Sequence, residues 1–258
     1  MNGSNLHVDA FGSKGIGLST EERACLATSL VGLTSSQAFM SAHFWGKIAT
    51  ADVSKDYYVA VAYHNDPFAP TIFMCQDALN WVQAPNVTDD EMHAAADLRA
   101  AFTGDPAFEF PLPNGAAGTL PEAKRLTAVV QCILRDAHIV PRGAYFRDVL
   151  GKLQRNATFG GLRPHDVTRL ASYVHLRPTA TSDAQLARPD FEDAVDVLDT
   201  VEHDQPKGCW VVEKNVMNVV LSSLVWPGYH HATSVADASF ASIYVGQGKK
   251  NLDIGFMI

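Results

Sequence analysis

The residues in this chain whose types and order suit catalysis are a histidine between two carboxylates, Glu202-His203-Asp204. A histidine that a carboxylate orients can act as a general base, so one hypothesis is a hydrolase-like enzyme that uses His203. Neighbours in sequence do not face one another, however, and the chain has no G-x-S-x-G elbow to present a nucleophile. The alternative is a turn whose carboxylates accept backbone hydrogen bonds. We favour the turn and expect no catalytic residue.

Two further groups have residue types that suit ligands. His230-His231 can ligate a transition metal, but no H-E-x-x-H motif or spaced carboxylate accompanies them. Gly246 to Lys250 reads Gly-Gln-Gly-Lys-Lys, and glycine N–H groups and lysines both suit a phosphate. A phosphate loop has a different order, G-x-x-x-x-G-K-[ST], so the alternative to a phosphate-binding module is a glycine turn. The expected function needs no metal or cofactor.

Composition narrows the class of protein. The 258 residues carry 28 acidic and 20 basic side chains, a formal net charge of −8, and 47% of them are hydrophobic. This predicts a folded protein and argues against binding to nucleic acid, which needs clustered lysine and arginine. The aromatic pairs Phe44-Trp45 and Tyr57-Tyr58 suit base stacking, but with this charge core or interface packing is the better interpretation.

The lack of a recognisable targeting signal and the spacing of the cysteines predict a cytoplasmic protein. The first residues lack the apolar stretch of a secretory signal, and no apolar run approaches the roughly 18 residues that span a bilayer. Cys25, Cys75, Cys132 and Cys209 lie far apart without a C-x-x-C pair, which predicts reduced thiols and no zinc knuckle. We expect a protein that binds neither nucleic acid nor membrane.

Helix signals occur at five places. Capping boxes at Ser19 to Glu22 and Thr88 to Glu91 predict helix starts, because each side chain can bond the other residue's backbone. The first helix is expected to reach Leu33, and the second to run to Phe102 and stop at Gly104. The spacing of apolar residues predicts three more helices: Pro121 to Arg135, Pro164 to Leu176 and Pro189 to Leu198.

Strand signals fall between these helices. His43 to Thr50 and Asp56 to His64 are rich in aromatic and β-branched residues around a polar turn, which predicts a β-hairpin. Further strands are expected at Thr71 to Gln76, Asn80 to Gln83, Ala137 to Arg147, Cys209 to Glu213, Val216 to Trp226 and Phe240 to Val245. Pro141 confines its strand to a sheet edge or a bulge.

The order of these elements predicts the fold class. Short strands interspersed with short helices, without regular βαβ alternation, indicate an α+β protein with antiparallel β-sheets and several short flanking helices. Residues 1–18 are rich in Gly, Ser and Asn and are expected to form a flexible arm. Residues 19–258 are expected to form a single domain, with an irregular, proline-rich connection near residues 105–118.

Seven peptides stand in order along the chain and share a rich content of Gly, Pro and aromatic residues. Their motif residues are Phe44, Trp45, Gly46, Tyr57, Tyr58, Pro141, Arg142, Gly143, Glu202, His203, Asp204, Pro206, Lys207, Gly208, Trp210, Trp226, Pro227, Gly228, Tyr244, Gly246, Gly248 and Asn251; the remaining peptide, residues 156–162, contains Thr158-Phe159. Such residues set backbone shape, and at Gly246 we expect a positive φ that Val would strain.

Taken together, the peptides resemble the radial spokehead family of the ciliary and flagellar axoneme. The F-W-G-K-I and D-Y-Y-V-A peptides are similar to the family's F-W-G-[KR]-I and D-Y-Y-[IV]-A. The W-P-G and Y-V-G-x-G peptides are similar to those that the spoke head proteins of the 4 and 6 type share with their relatives. The compact length resembles the shorter members of the family, without the long acidic stretches of the 4 and 6 type.

The resemblance implies a function without catalysis. Family members are structural subunits of the radial spoke head and pair with spoke head proteins of the 4 and 6 type and with other spoke subunits. They help the head contact the central pair, an indirect contact for this chain, so that ciliary and flagellar motility is regulated. The resemblance also allows self-association within the head and implies a place in the cytoskeleton of the axoneme. Trp45, Trp210 and Trp226 are expected to be core or interface anchors.

Overall fold

The computed structural model describes residues 8–36, 38–112, 118–150, 152–178 and 198–256. Within them the α-helices are α1 (Thr20–Ser36), α2 (Asp89–Asp97) and α3 (Glu122–Ala137). The strands in chain order are β1 (Ser41–Ile48), β2 (Tyr57–Tyr63), β3 (Thr71–Cys75), β4 (Val82–Gln83), β5 (Glu109–Pro111), β6 (Thr119–Pro121), β7 (Ile139–Pro141), β8 (Tyr145–Arg147), β9 (Leu153–Arg155), β10 (Tyr173–His175), β11 (Trp210–Lys214), β12 (Asn218–Ser223), β13 (Tyr229–Ser234) and β14 (Phe240–Gly246). The α+β prediction is confirmed.

One eight-stranded sheet organises the molecule, in the order β11-β12-β13-β14-β1-β2-β3-β4. The strands before α2 form one half of this sheet and the strands after β10 form the other. The halves meet where β1 pairs with β14, and this pair is parallel while the other pairs in the sheet are antiparallel. The small pairs β5-β6, β7-β10 and β8-β9 lie outside the main sheet.

Each face of the sheet carries its own core because side chains alternate along a strand. On one face Tyr57, Val59 and Val61 pack in a cluster with residues of α3. On the other face Tyr58 and Ala60 pack with residues of α1. A register shift lies between Phe44 and Gly46, and it changes the phase of the alternation: Phe44 lies on the α1 face, whereas Trp45 and Ile48, three positions apart, both lie on the α3 face.

The helix predictions hold at both long helices. α1 starts at Thr20, with Ser19 and Glu22 exchanging the two expected capping bonds, and α3 covers the predicted range. The start of α2 is also confirmed by the Thr88–Glu91 capping box. Its predicted end at Phe102 is wrong, because Leu98 is extended and Arg125 binds the carbonyls of Leu98 and Ala100.

The helix predicted from Pro164 to Leu176 is wrong. Its last residues form β10, whose backbone pairs with β7, and pairing of buried Tyr173, Val174 and His175 outweighs local helix propensity. Most of the helix predicted from Pro189 to Leu198 lies outside the described residues. No strand was predicted at Tyr229–Ser234, which forms β13 between β12 and β14 in the C-terminal half of the sheet.

The other strand predictions are confirmed except for Ala137 to Arg147. That segment forms two strands, β7 and β8, which pair with β10 and β9, because a turn closed by the Ala144 N–H and the Pro141 carbonyl separates them. The hairpin is β1-β2, and Pro141 lies in β7, which pairs on one side only. In the connection at residues 105–118, β5 pairs with β6 around an interval outside the described residues. Of the predicted flexible arm, Val8–Lys14 form a 3-10 helix with Val8 and Phe11 buried, so the prediction does not hold for these residues.

The four cysteines are free thiols, as predicted, and Cys25 alone among them is partly exposed. No helix among the described residues has both the length and the apolar character needed to cross a bilayer. Whether residues 19–258 form one domain stays a prediction.

Candidate functional site

One group of motif residues meets at the parallel junction of the two halves of the sheet. Gly46 lies opposite Tyr244 in the register of β1 and β14, and the rings of Trp45 and Tyr244 stack with centroids 5.3 Å apart. Phe44, Trp45, Tyr57, Tyr58, Trp226 and Tyr244 are all buried. We call Trp45, Gly46, Gly228, Tyr244 and Gly246 the β1–β14 junction.

Glycine is required at the junction because the backbones approach too closely for a side chain. A Cβ on Gly46 would lie 2.0 Å from the Tyr244 carbonyl oxygen, and one on Gly228 would lie 2.2 Å from that of Val245. Real Cβ contacts are essentially never this short. Any residue other than glycine at these two positions would therefore require the backbone to shift. Pro227 and Gly228 thereby make the turn into β13 that seats it against β14.

The expectation of a positive φ at Gly246 is wrong. Gly246 is absent from the glycines with positive φ, and its constraint is space: a Cβ would lie 2.8 Å from both the Pro227 oxygen and the Tyr244 hydroxyl oxygen. The Val substitution stays unfavourable, for a steric reason instead of a dihedral one.

Two donors of the Gly246 to Lys250 segment have partners within the protein. The Gly248 N–H donates to the Tyr244 hydroxyl at 2.8 Å, and the Lys250 ammonium binds Asp136 at 2.8 Å. Asn251 ties the segment to the W-P-G peptide, donating from its backbone N–H to the Val225 carbonyl at 2.8 Å. The phosphate hypothesis loses its geometric basis, because these groups hold the chain end on the sheet.

The Glu202-His203-Asp204 peptide divides into two exposed residues and one anchored carboxylate. Glu202 and His203 are exposed in a short 3-10 helix. Asp204 instead binds buried His175, whose Nε2 lies 2.8 and 2.9 Å from its two oxygens, and accepts a bond from Trp210 Nε1 at 2.7 Å. Asp204 therefore fastens β10 to the start of β11.

This geometry predicts opposite outcomes for two adjacent substitutions. Asp204→Ala would leave the His175 and Trp210 donors unsatisfied, and we expect a loss of about 2–3 kcal/mol in the free energy of unfolding, measured by urea denaturation. His203→Ala should change it by less than about 0.5 kcal/mol because the side chain is exposed. Equal effects of the two changes would contradict the anchoring role.

His230 and His231 point to opposite faces of β13 and bind neighbouring hydroxyls. His230 Nδ1 lies 2.8 Å from Ser222 Oγ, while buried His231 contacts Ser242 Oγ at 2.9 Å and Thr233 Oγ1 at 3.2 Å. The described residues contain no cluster of three His, Cys, Asp or Glu side chains able to hold a metal. The pair does not form the metal site considered from sequence.

Buried His231 should make stability depend on pH. Burial lowers the pKa of His231 to about 3 and that of His138 to about 4, whereas in the unfolded chain both titrate near about 6.5. Between these pKa values the unfolded state binds protons that the native state does not. The contribution of the two histidines to the free energy of unfolding is therefore fully present above about pH 7 and is lost as the pH drops below about 6.5. We expect a lower urea midpoint at about pH 5 than at about pH 7.5.

The matched comparison is between His231→Gln, which keeps a hydrogen-bonding side chain, and His203→Ala. The first should reduce the slope of stability against pH and the second should leave it unchanged. An unchanged slope in His231→Gln would contradict this assignment.

The remaining motif residues shape turns beside β7 and β11. The Arg142 N–H donates to the Ser172 carbonyl at 2.9 Å, while Gly143 has a φ of +83° and Gly208 one of +90°. The Gln205–Pro206 bond is cis and Lys207 is exposed. Motif residues thus set the chain path at two places, the β1–β14 junction and the turns around β11.

Sequence reasoning missed two buried charged residues on α3. Glu122 and Arg125 have exposures of 0% and 1%, and they hold the segment after α2 against the helix. Their spacing was the available signal, since positions 122 and 125 share a helix face with apolar Leu126 and Val129. A charge on the apolar face of a helix indicates a buried polar contact.

Large apolar side chains remain exposed at one end of the sheet. Met40 precedes β1, and Val216 and Met217 precede β12, with exposures of 72%, 94% and 61%. The β8-β9 hairpin also exposes Val149 and Leu150 on a turn that Asp148 organises by accepting backbone bonds. Exposed apolar side chains that adjoin one another, as Val216 and Met217 do, are more typical of contacts with partner proteins than singly scattered ones.

Known proteins resemble the chain over nearly its whole length. A sequence model described as "Radial spokehead-like protein" matches residues 5–67. The chain is 31% identical to "Radial spoke head protein 9 homolog" of Homo sapiens over 274 residues, with 98% of each chain covered. The chain belongs to the radial spokehead family. The homologue of the same name in Danio rerio is 31% identical over 280 residues, with 100% of each chain covered.

Membership of the radial spokehead family fits the arrangement of the motif peptides. The family model covers the first two of them, on β1 and β2. The match to the human relative covers 98% of this chain, so its span includes the C-terminal peptides that pack on those strands. In this radial spokehead protein the motif residues of β1 and β14 lie where the two halves of the sheet pack together.

Proposed function

We propose that the chain is a non-enzymatic structural subunit of the radial spoke head in the axoneme of cilia or flagella. The observation that carries this proposal is the full-length similarity to proteins named radial spoke head protein 9 homolog. In this role the chain supports assembly of the head and its contact with the central pair, and through them the regulation of motility.

The placement of the motif residues supports a structural role. The buried ones serve close backbone approach, ring stacking and hydrogen bonding, whereas a catalytic site needs polar groups converging on open space. The cavity bordered by Asn218, Ala232 and Phe240 has about 30 Å³, room for one water molecule and far below the roughly 300–1,000 Å³ of a ligand pocket.

Partner contacts are proposed at the apolar end of the sheet. Val216 and Met217 are exposed there on the β11-β12 turn, and Val149 and Leu150 are exposed on the turn of the separate β8-β9 hairpin. Burial against a partner would remove these side chains from water. The partners are spoke head proteins of the 4 and 6 type and other spoke subunits. The net charge of −8 supports contact with microtubules through these subunits, because acidic tubulin tails would repel the chain.

The test is tomography of axonemes from cells that lack this chain. We expect intact doublets, incomplete spoke heads and disturbed beating, together with axonemal localisation of a tagged rescue protein. Intact heads in the deleted cells would refute the proposal.

Rescue variants separate structure from catalysis. His203→Ala should restore the heads fully, since the proposed role uses no catalytic histidine. Leu150→Glu, at a side chain exposed to 83%, should keep the fold but reduce incorporation into the head. Full incorporation of Leu150→Glu would place the partner contacts elsewhere, and failed rescue by folded His203→Ala would favour an enzyme.

A further inference from the structure

The sheet has one edge that can accept another strand. β11 is its first strand and pairs only with β12 among the described residues. The opposite edge is β4, which has two residues and is closely followed by Pro85. Proline and short length both discourage pairing at an edge, whereas β11 has five residues without proline or glycine.

The register of β11 tells which backbone groups point outward. In an antiparallel pair, every second residue exchanges hydrogen bonds with its partner strand. The Leu224 N–H donates to the Cys209 carbonyl, and the Asn215 N–H donates to the Asn218 carbonyl. Odd-numbered residues of β11 therefore bond β12, while the N–H and C=O groups of Trp210, Val212 and Lys214 face the open edge.

We propose that this edge pairs with β11 of a second copy of the chain, antiparallel and centred on Val212. In that two-fold register Val212 lies opposite its own copy, and Trp210 lies opposite Lys214. Each outward N–H then meets an outward C=O, so all the outward groups of both strands are used. A two-fold symmetric contact requires such a self-complementary register, in which the outward groups of a strand pair with the same groups of its copy.

Side chains across this register are compatible. Lys214 meets Trp210, and Glu213 meets Val211, so no like charges lie opposite each other. Glu213 also keeps its ion pair with Lys14 of its own copy. Shifting the centre to Glu213 or Lys214 would place two like charges face to face, which favours the register centred on Val212.

Cysteine cross-linking of the full chain tests the register directly. Paired residues that exchange hydrogen bonds have Cα atoms about 5.5 Å apart, within the range for a disulfide. Val212→Cys should therefore form a disulfide-linked dimer under mild oxidation. Val211→Cys is the matched control, since it would lie opposite Glu213 and not opposite itself, and it should not cross-link more than the unmodified chain.

Sedimentation equilibrium tests the backbone contacts. Lys214→Pro removes an outward N–H while leaving the bonds to β12 and all buried side chains in place, so it should keep its melting temperature within a few degrees. We expect the dissociation constant of its dimer to be at least about tenfold higher than that of the Lys214→Ala dimer, because each copy loses a hydrogen bond.

Three outcomes would overturn the proposal. They are a chain that is monomeric at every concentration tested, a dimer that Lys214→Pro does not weaken, or equal cross-linking of Val211→Cys and Val212→Cys. If Lys214→Pro fails to fold, the cross-linking pair alone decides. Pairing of β11 with a strand of a different protein would appear as the first of these outcomes.

Discussion

Replacing Gly46 by alanine is expected to destabilise the protein by at least about 3 kcal/mol, a large part of the stability of a typical domain. The new Cβ would lie 2.0 Å from the Tyr244 oxygen and 2.8 Å from its carbonyl carbon. Backbone atoms of a central strand cannot move aside as the end of a flexible side chain can. Since β1-β14 is the pair that joins the two halves of the main sheet, relief of this clash would separate them.

Urea denaturation followed by circular dichroism measures this loss. Gly32→Ala is the matched control, because the same methyl group added in α1 meets nothing within 4 Å. Alanine in a helix interior is favoured over glycine, so this control should gain about 0.5–1 kcal/mol. A Gly46→Ala protein with an unchanged midpoint would mean that the junction is not tightly packed.

Loss of the Glu122 carboxylate is expected to cost about 3–5 kcal/mol. Fully buried Glu122 accepts bonds from the Tyr57 hydroxyl at 2.8 Å, the Thr103 N–H and hydroxyl at 2.7 and 2.9 Å, and the Gly104 N–H at 2.8 Å. Glu122→Ala would leave these donors without an acceptor. It would also remove a negative charge that stabilises the buried Arg125 guanidinium. Burial lowers the pKa of Arg125, and the charge of Glu122 opposes that shift.

Two control variants separate these contributions. Tyr57→Phe removes one of the bonds to Glu122 and should cost about 1–2 kcal/mol. Glu21→Ala changes an exposed glutamate in the first turn of α1 and should cost less than about 1 kcal/mol. The comparison uses urea midpoints, and a Glu122→Ala loss no greater than that of Glu21→Ala would refute the anchoring role.

Buried Arg125 also explains an error in the sequence prediction. The alanine-rich run after Thr88 favours a helix to Phe102, but the chain leaves the helix at Leu98. Arg125, held between the rings of Phe102 and Phe110 at 4.4 and 4.6 Å, takes the carbonyls of that segment. Arg125 lies 25 or more positions away from these carbonyls, and its contacts outweigh the local helix propensity. The spacing of nearby residues cannot predict a contact with so distant a residue.

The contacts of the candidate site residues also depend on distant segments. Residue type and order made Glu202-His203-Asp204 a reasonable candidate, yet the partner of Asp204 is His175, which lies 29 positions earlier in the chain. The helix predicted over residues 164–176 hid this partner, because His175 reaches Asp204 only from a strand. Likewise, the adjacency of His230 and His231 suggested a shared ligand, whereas the pleat of β13 directs them to opposite faces.

Sequence by itself determined the α+β class, the long helices with their capping boxes, the β1-β2 hairpin and the family peptides, because periodicity, capping and turn chemistry act over a few residues. Only the tertiary structure decided what those peptides do. It placed Gly46 against Tyr244 and Glu122 against Tyr57 and Thr103, and it gave β11 a partner strand on one side only within the part of the chain that the structure describes. These depend on close approach between distant segments, which is set by the packing of the whole sheet.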